Sequence, residues 1–145
     1  MTYSLGQRSR NNLNGVNPAL VAVVNRAIEI TTQDFAVIEG VRSFQRQKQL
    51  KAQGKSRTLN SRHLTGHAVD LVDYPITWDW SNMYLIADAM IQAAKELDVP
   101  LRWGGNWQVK DVREWQGTAK ELNEAYTGKF HDGPHYEIPK GYGYD

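Results

Sequence analysis

The chain reads as an α+β fold, a single domain in which a small, mostly antiparallel sheet is flanked by helices. Three observations lead there. Short apolar runs at 35–38, 68–72, 101–103 and 135–138 alternate with amphipathic stretches, and no repeating βαβ unit links them. No internal repeat, low-complexity tract or Pro/Gly/Ser-rich linker divides residues 1–145. With 145 residues, 41% of them hydrophobic, the chain can bury roughly two thirds of its unfolded surface in one core.

Each element follows from local pattern. Asn17-Pro18 is an N-cap followed by proline at the first helical position, and Leu20, Val24, Ala27 and Ile28 recur at helical spacing, which predicts a helix from Pro18 to Thr31. Phe35-Ala36-Val37-Ile38, ending at Gly40, predicts a buried strand. Ser43 can cap a basic helix through Leu50, stopped by Gly54. Ala68-Val69-Asp70-Leu71-Val72 predicts a strand with Ala68, Asp70 and Val72 on one face. An aspartate amid apolar neighbours needs a partner. Leu85, Ile86, Ala89, Met90, Ala93 and Leu97 make the apolar stripe of the longest helix, from Ser81 to Leu97. Leu101-Arg102-Trp103 is a short strand that turns at Gly104-Gly105-Asn106-Trp107. Thr118 and Glu121 have capping-box spacing and open a helix over Ala119 to Tyr126. Alternation in His135-Tyr136-Glu137-Ile138 places His135 and Glu137 on one strand face and Tyr136 on the other.

Composition excludes several functions. There is no cysteine, hence no disulfide, thiolate zinc cluster, iron–sulfur centre or cysteine nucleophile. No apolar run approaches the ~20 residues of a membrane span, so membrane insertion is not expected. The N-terminal residues lack the hydrophobic core of a signal peptide, which sets the expectation of a protein made and held in the cytoplasm. The net charge of +1 divides unevenly, with +7 on residues 1–62 and −6 on residues 63–145. Arg42, Arg46, Lys48, Lys51, Lys55, Arg57 and Arg62 form a block without an acid, suited to an anionic partner. Phe44 is its only aromatic residue, too little interleaving for a nucleic-acid surface, and no nucleic-acid partner is expected.

All four histidines fall in two polar clusters, Ser61-Arg62-His63-Leu64-Thr65-Gly66-His67-Ala68-Val69-Asp70 and His131-Asp132-Gly133-Pro134-His135-Tyr136-Glu137. Without cysteine, a zinc site must use imidazole and carboxylate, and two His plus one carboxylate is a ligand set that leaves a position for water. His63, Asp70 and His135 can supply it, with His67 as the rival to His63. Asp132, three residues before His135 across Gly133-Pro134, is placed to serve as a base beside such a metal.

The first cluster matches every fixed position of S-x-H-x-x-G-x-A-x-D and so resembles the zinc peptidases that include D-alanyl-D-alanine carboxypeptidases, the VanY type and phage L-alanyl-D-glutamate endopeptidases. Asp132-Gly133-Pro134-His135 is similar to their second motif, with an acid three residues before the last ligand. Gly40-Val41-Arg42-Ser43-Phe44-Gln45-Arg46-Gln47 resembles their G-x-R-S-x-x-x-Q stretch, and Trp103-Gly104-Gly105-Asn106-Trp107 their W-G-G-x-W segment. The resemblance implies one zinc per chain on His63, Asp70 and His135, with Asp132 as general base. The carboxypeptidase branch usually has Glu at the base position; Asp132 is similar to some phage endopeptidases.

What the resemblance implies is a phage endolysin that cleaves the stem peptide of bacterial peptidoglycan between L-alanine and D-glutamate. Such an enzyme is expected to be a monomer that reaches the wall from the host cytoplasm once a separate protein permeabilises the membrane. Arg42 is expected to hold a substrate carboxylate or the oxyanion. His131, beside the base, is the second candidate for oxyanion stabilisation. Ser43, Gln47 and Trp103 join Arg42 as expected substrate contacts, while Trp107 reads equally as a recognition element and as core or cleft wall, and Tyr136 reads as core or cleft wall. Glu137 can orient a ligand imidazole. The alternatives are a D-alanyl-D-alanine carboxypeptidase or dipeptidase of the same family, and a non-enzymatic zinc-containing wall-binding module.

Overall fold

Asn17 accepts from the Ala19 N–H at 2.9 Å and Pro18 takes the first helical position, so the first long helix starts where the cap residue dictates. In the computed structural model, which describes residues 2–56, 58 and 61–145, the order is α1 (Gln7–Asn12), α2 (Pro18–Ile30), β1 (Phe35–Glu39), α3 (Phe44–Ala52), β2 (Ala68–Asp73), α4 (Trp80–Leu97), β3 (Arg102–Trp103), α5 (Ala119–Glu124) and β4 (His135–Glu137). Two 3₁₀ turns, Arg62–Thr65 and Val112–Glu114, complete it. Arg57 of the basic block lies outside the described residues.

The expected α+β class is borne out. All strand pairs are antiparallel, in the order β1-β2-β4-β3. Register assigns the two faces. Leu71 pairs with Val37, Val69 with Tyr136 and Tyr136 with Trp103, and these side chains join Leu20, Val24, Ile86 and Met90 of α2 and α4 in the core. The opposite set pairs Asp70 with His135, Ala68 with Glu137, and Glu137 with Arg102. One face is therefore packed by helices and the other collects polar groups.

A bulge between Val37 and Glu39 shifts β1 by one residue, so Glu39 lies opposite Asp70. Strict alternation would turn Glu39 toward the core with Phe35 and Val37; the extra residue re-aims it to the polar face. Helix α1, which the sequence reading does not predict, covers the outer edge of β1. Ser9 Oγ accepts from the Val37 N–H at 3.0 Å, and Asn12 Nδ2 donates to the Val37 carbonyl at 2.8 Å.

Candidate active site

His63 lies in the 3₁₀ turn Arg62–Thr65, which Ser61 caps by accepting from the His63 N–H at 3.2 Å and Gly66 closes at φ 78°. Its Nδ1 sits 2.8 Å from the Gly40 carbonyl, an acceptor only, so Nδ1 carries the proton and Nε2 is left facing Asp70 Oδ1 at 3.1 Å. On the neighbouring strand His135 Nε2 donates to Glu137 Oε1 at 2.8 Å, which turns Nδ1 to Asp70 Oδ1 at 3.4 Å. One nitrogen from each ring and one Asp70 oxygen lie within 4.8 Å of one another.

This donor set fits zinc. Two imidazoles, each with its second nitrogen fixed by an oxygen acceptor, and one carboxylate form a three-ligand site of the hydrolytic kind. Without a cation the cluster must hold protons instead. Burial lowers the pKa of His135, but the hydrogen bonds it donates to Asp70 and Glu137 overcome this and raise the value to about 10. Burial raises that of Asp70, and the charges of His63 and His135 outweigh it, holding the carboxyl far below its ordinary range. The group is built around positive charge.

Arg42 fixes the other Asp70 oxygen, with Nη2 3.4 Å from Oδ2. Its buried guanidinium also holds Glu39 through two bonds of 2.7 Å and donates to Gln47 Oε1 at 2.7 Å. Asp132 arrives by a different route. Its N–H donates to the Gly104 carbonyl at 2.8 Å, its carbonyl accepts from the His135 N–H at 3.1 Å, and Gly104 N–H donates to the His135 carbonyl at 2.8 Å. A Cβ on Gly104 would stand 2.3 Å from the Asp132 carbonyl oxygen, so only glycine allows this approach. The Asp132 carboxylate has no hydrogen bond or ion pair among the described residues. Burial pushes its pKa above the ordinary carboxylate value against the attraction of His135, and the Asp70 charge adds to the rise.

These groups line one cleft of about 780 Å³ whose walls include Trp78, Trp107 and Phe130 and whose cations are Arg42, Arg46, Lys55, Arg62, Arg102, Lys110 and Lys140. The structure thus brings Arg42, His63, Asp70, Asp132 and His135 together. It places other expected residues elsewhere. Gln47 is fully buried, holding Arg42 and donating to Ser56 Oγ at 2.8 Å. Trp103 is likewise buried on the core face, stacked on Tyr136 and donating to the Gly133 carbonyl at 2.7 Å. Ser43 caps α3. His131 lies between the rings of Trp80 and Tyr126 and is bonded to Asn123, outside the residues that line the cleft. His67 is bonded to Thr65 and the Tyr144 carbonyl and has no part in the ligand group. Several cleft residues escape the sequence reading, among them Trp78, Lys110, Phe130 and Lys140, as well as Glu39, displaced by the bulge, and Arg102, whose only signal is that it precedes Trp103-Gly104-Gly105.

A family model described as phage L-alanyl-D-glutamate peptidase matches residues 1–138. The chain belongs to this family. Among its relatives, the L-alanyl-D-glutamate peptidase of Escherichia phage T5 is 34% identical over 114 residues, which cover 74% of this chain and 83% of that protein. The crystal structure of the L-Ala D-Glu endopeptidase ChiX of Serratia marcescens superposes with a TM-score of 0.73 at 37% identity, over 94% of this chain and 90% of that one. Family membership accords with the motifs around Arg42, His63, Trp103 and His135.

Proposed function

We propose that this chain is a phage endolysin that hydrolyses the L-alanyl–D-glutamate bond in the stem peptide of bacterial peptidoglycan, with zinc held by His63, Asp70 and His135. The reading rests on one observation above others: a carboxylate unpaired among the described residues, Asp132, stands in the same cleft as a fully oriented His-Asp-His group. Zinc in that group would supply Lewis-acid polarisation of the scissile carbonyl and water acidified toward neutral pH.

The chain's own residues do the rest. Asp132, whose pKa burial lifts, takes a proton from the attacking water and returns it to the departing amine. Arg42 acts by holding Asp70, because Glu39 and Gln47 already occupy its other donors. Gly104 and Trp103 fix the backbone that carries Asp132 and His135. One chain contains the whole set, which supports a monomeric enzyme. No helix among the described residues is long and apolar enough to cross a membrane, and a separate protein would open the route to the wall.

Digestion of purified peptidoglycan followed by mass spectrometry of the products tests this. New amino-terminal D-glutamate, abolished by chelator and restored by zinc, is the expected result. Release of terminal D-alanine would make the enzyme a carboxypeptidase, and wall binding without cleavage by the zinc-loaded protein would make it a binding module. Asp132→Asn, folded and zinc-loaded, should lose about 10²–10⁴-fold in kcat.

A further inference from the structure

The bond assigned above has an unusual neighbour. D-glutamate in the stem peptide is chained through its γ-carboxyl group, so its α-carboxylate stays free and lies two bonds from the scissile nitrogen. Some bacterial walls carry that group as the primary amide instead. A cleft that seats this residue must meet either a negative charge or a neutral amide beside its reaction centre. Arg42 cannot meet it, since Glu39 and Asp70 already neutralise its buried guanidinium.

Arg102 can. It stands on β3 opposite Glu137, the residue that holds ligand His135, and it lines the same cleft as His135 and Asp132. Glu137 is spent on His135 at 2.8 Å, and no acid pairs with Arg102 among the described residues. Its guanidinium is nonetheless held in place. Nε donates to the Trp107 carbonyl at 2.9 Å, Nη2 donates to the same oxygen, and the group lies 5.3 Å from the centroid of a Trp107 ring. Nη1 has no acceptor among the described residues. Arg102 is therefore a rigid, half-buried cation with unsatisfied donor capacity. Arg46, Lys55, Lys110 and Lys140 also line the cleft but have no such brace among the described residues. A braced guanidinium loses little entropy when it binds a carboxylate.

We infer that Arg102 binds the free α-carboxylate of the D-glutamate on the leaving side of the scissile bond, and so selects stem peptides whose D-glutamate is not amidated. The inference rests on the proposed cleavage of the L-alanyl–D-glutamate bond. Two soluble muramoyl peptides, identical except for D-glutamate or its α-amide, test it with zinc-loaded wild type, Arg102→Gln and Arg102→Lys. Wild type should cleave the free acid with a kcat/KM about tenfold higher than the amide. Arg102→Gln should lose about tenfold on the free acid alone, leaving the two substrates nearly equal, and Arg102→Lys should recover part of the preference. Equal losses on both substrates would show that Arg102 only braces Trp107, and an unchanged preference in Arg102→Gln would assign selectivity to another cation; either overturns the inference. Wild type cleaving neither peptide at this bond would instead overturn the proposed function.

Discussion

Each ligand histidine depends on what its second nitrogen touches. Gly40 supplies a backbone carbonyl that no side-chain substitution removes, whereas His135 relies on the Glu137 carboxylate at 2.8 Å. Glu137→Ala would leave a buried N–H without an acceptor and free the ring to turn. Zinc affinity, read by competition with a chromogenic chelator, should fall about 10–100-fold, with Glu137→Gln between that and wild type. Asp132→Asn should leave the affinity near wild type, which separates a ligand-orienting carboxylate from a proton-carrying one. Equal affinity in wild type and Glu137→Ala would remove Glu137 from the site. His63, Asp70, His135 and Asp132 are legible in the sequence because their segments match the motifs of a known family, whereas local spacing alone leaves His67 as a rival to His63. Gln47 and Trp103 lie in segments just as motif-like, yet both are buried away from the cleft. Spacing within Leu101-Arg102-Trp103 shows that Arg102 and Trp103 face opposite ways. Only pairing of Trp103 with Tyr136 reveals which of them faces the core.

Elements position the site through contacts that periodicity does not record. The long helices α2 and α4 are legible, since the Asn17 cap of α2 and the broad apolar stripes of both define them locally, while the Asp79 cap starts α4 one residue before the expected Ser81. Helix α1 is six residues of QRSRNN with only Ser9 buried, so it carries no helical hydrophobic signal. It forms against the β1 edge, where Ser9 and Asn12 take up the outward backbone groups of Val37. The β1 bulge is equally hidden, although it brings Glu39 to Arg42. The W-G-G segment is legible as a motif, and the structure supplies its reason. Gly104 exchanges backbone hydrogen bonds with Asp132 and His135 at contact distance. Gly104→Ala must push the Asp132 loop outward, because the 2.3 Å approach is to backbone and not to a flexible side chain. It should cost about 1–3 kcal/mol in chemical denaturation and lower kcat together with zinc affinity. Unchanged stability and activity would mean that the loop position does not matter.

At the scale of the whole molecule, the charge imbalance along the chain is reabsorbed by the fold only in part. Of the basic block, Arg42 is paired with Glu39 and Asp70, Arg62 donates to the Ile138 carbonyl and pairs with Asp145, and Lys48 lies over Phe44. Arg46 and Lys55 remain in the cleft wall. What survives is a site whose stability depends on which cation occupies it. In chelated protein that cation is a proton. The folded-state pKa of His135 is raised from 6.5 to about 10, so the folded form holds its proton more tightly than the unfolded chain. This contribution is complete below pH 6.5 and is lost as pH climbs toward about 10. Asp70 works in the opposite sense: its depressed pKa adds stability above the ordinary value of 3.8, and that stability is lost as pH falls. Chelated protein should therefore be most stable between these limits and lose Tm steadily on the alkaline side. Zinc binds only deprotonated imidazoles, so zinc-loaded protein should keep its Tm where chelated protein loses it. Thermal unfolding in chelator and in excess zinc, stepped from pH 6.5 to about 10, should show a gap that widens with pH. A gap that stays constant or narrows would mean that protons and zinc do not compete for the His63-Asp70-His135 group.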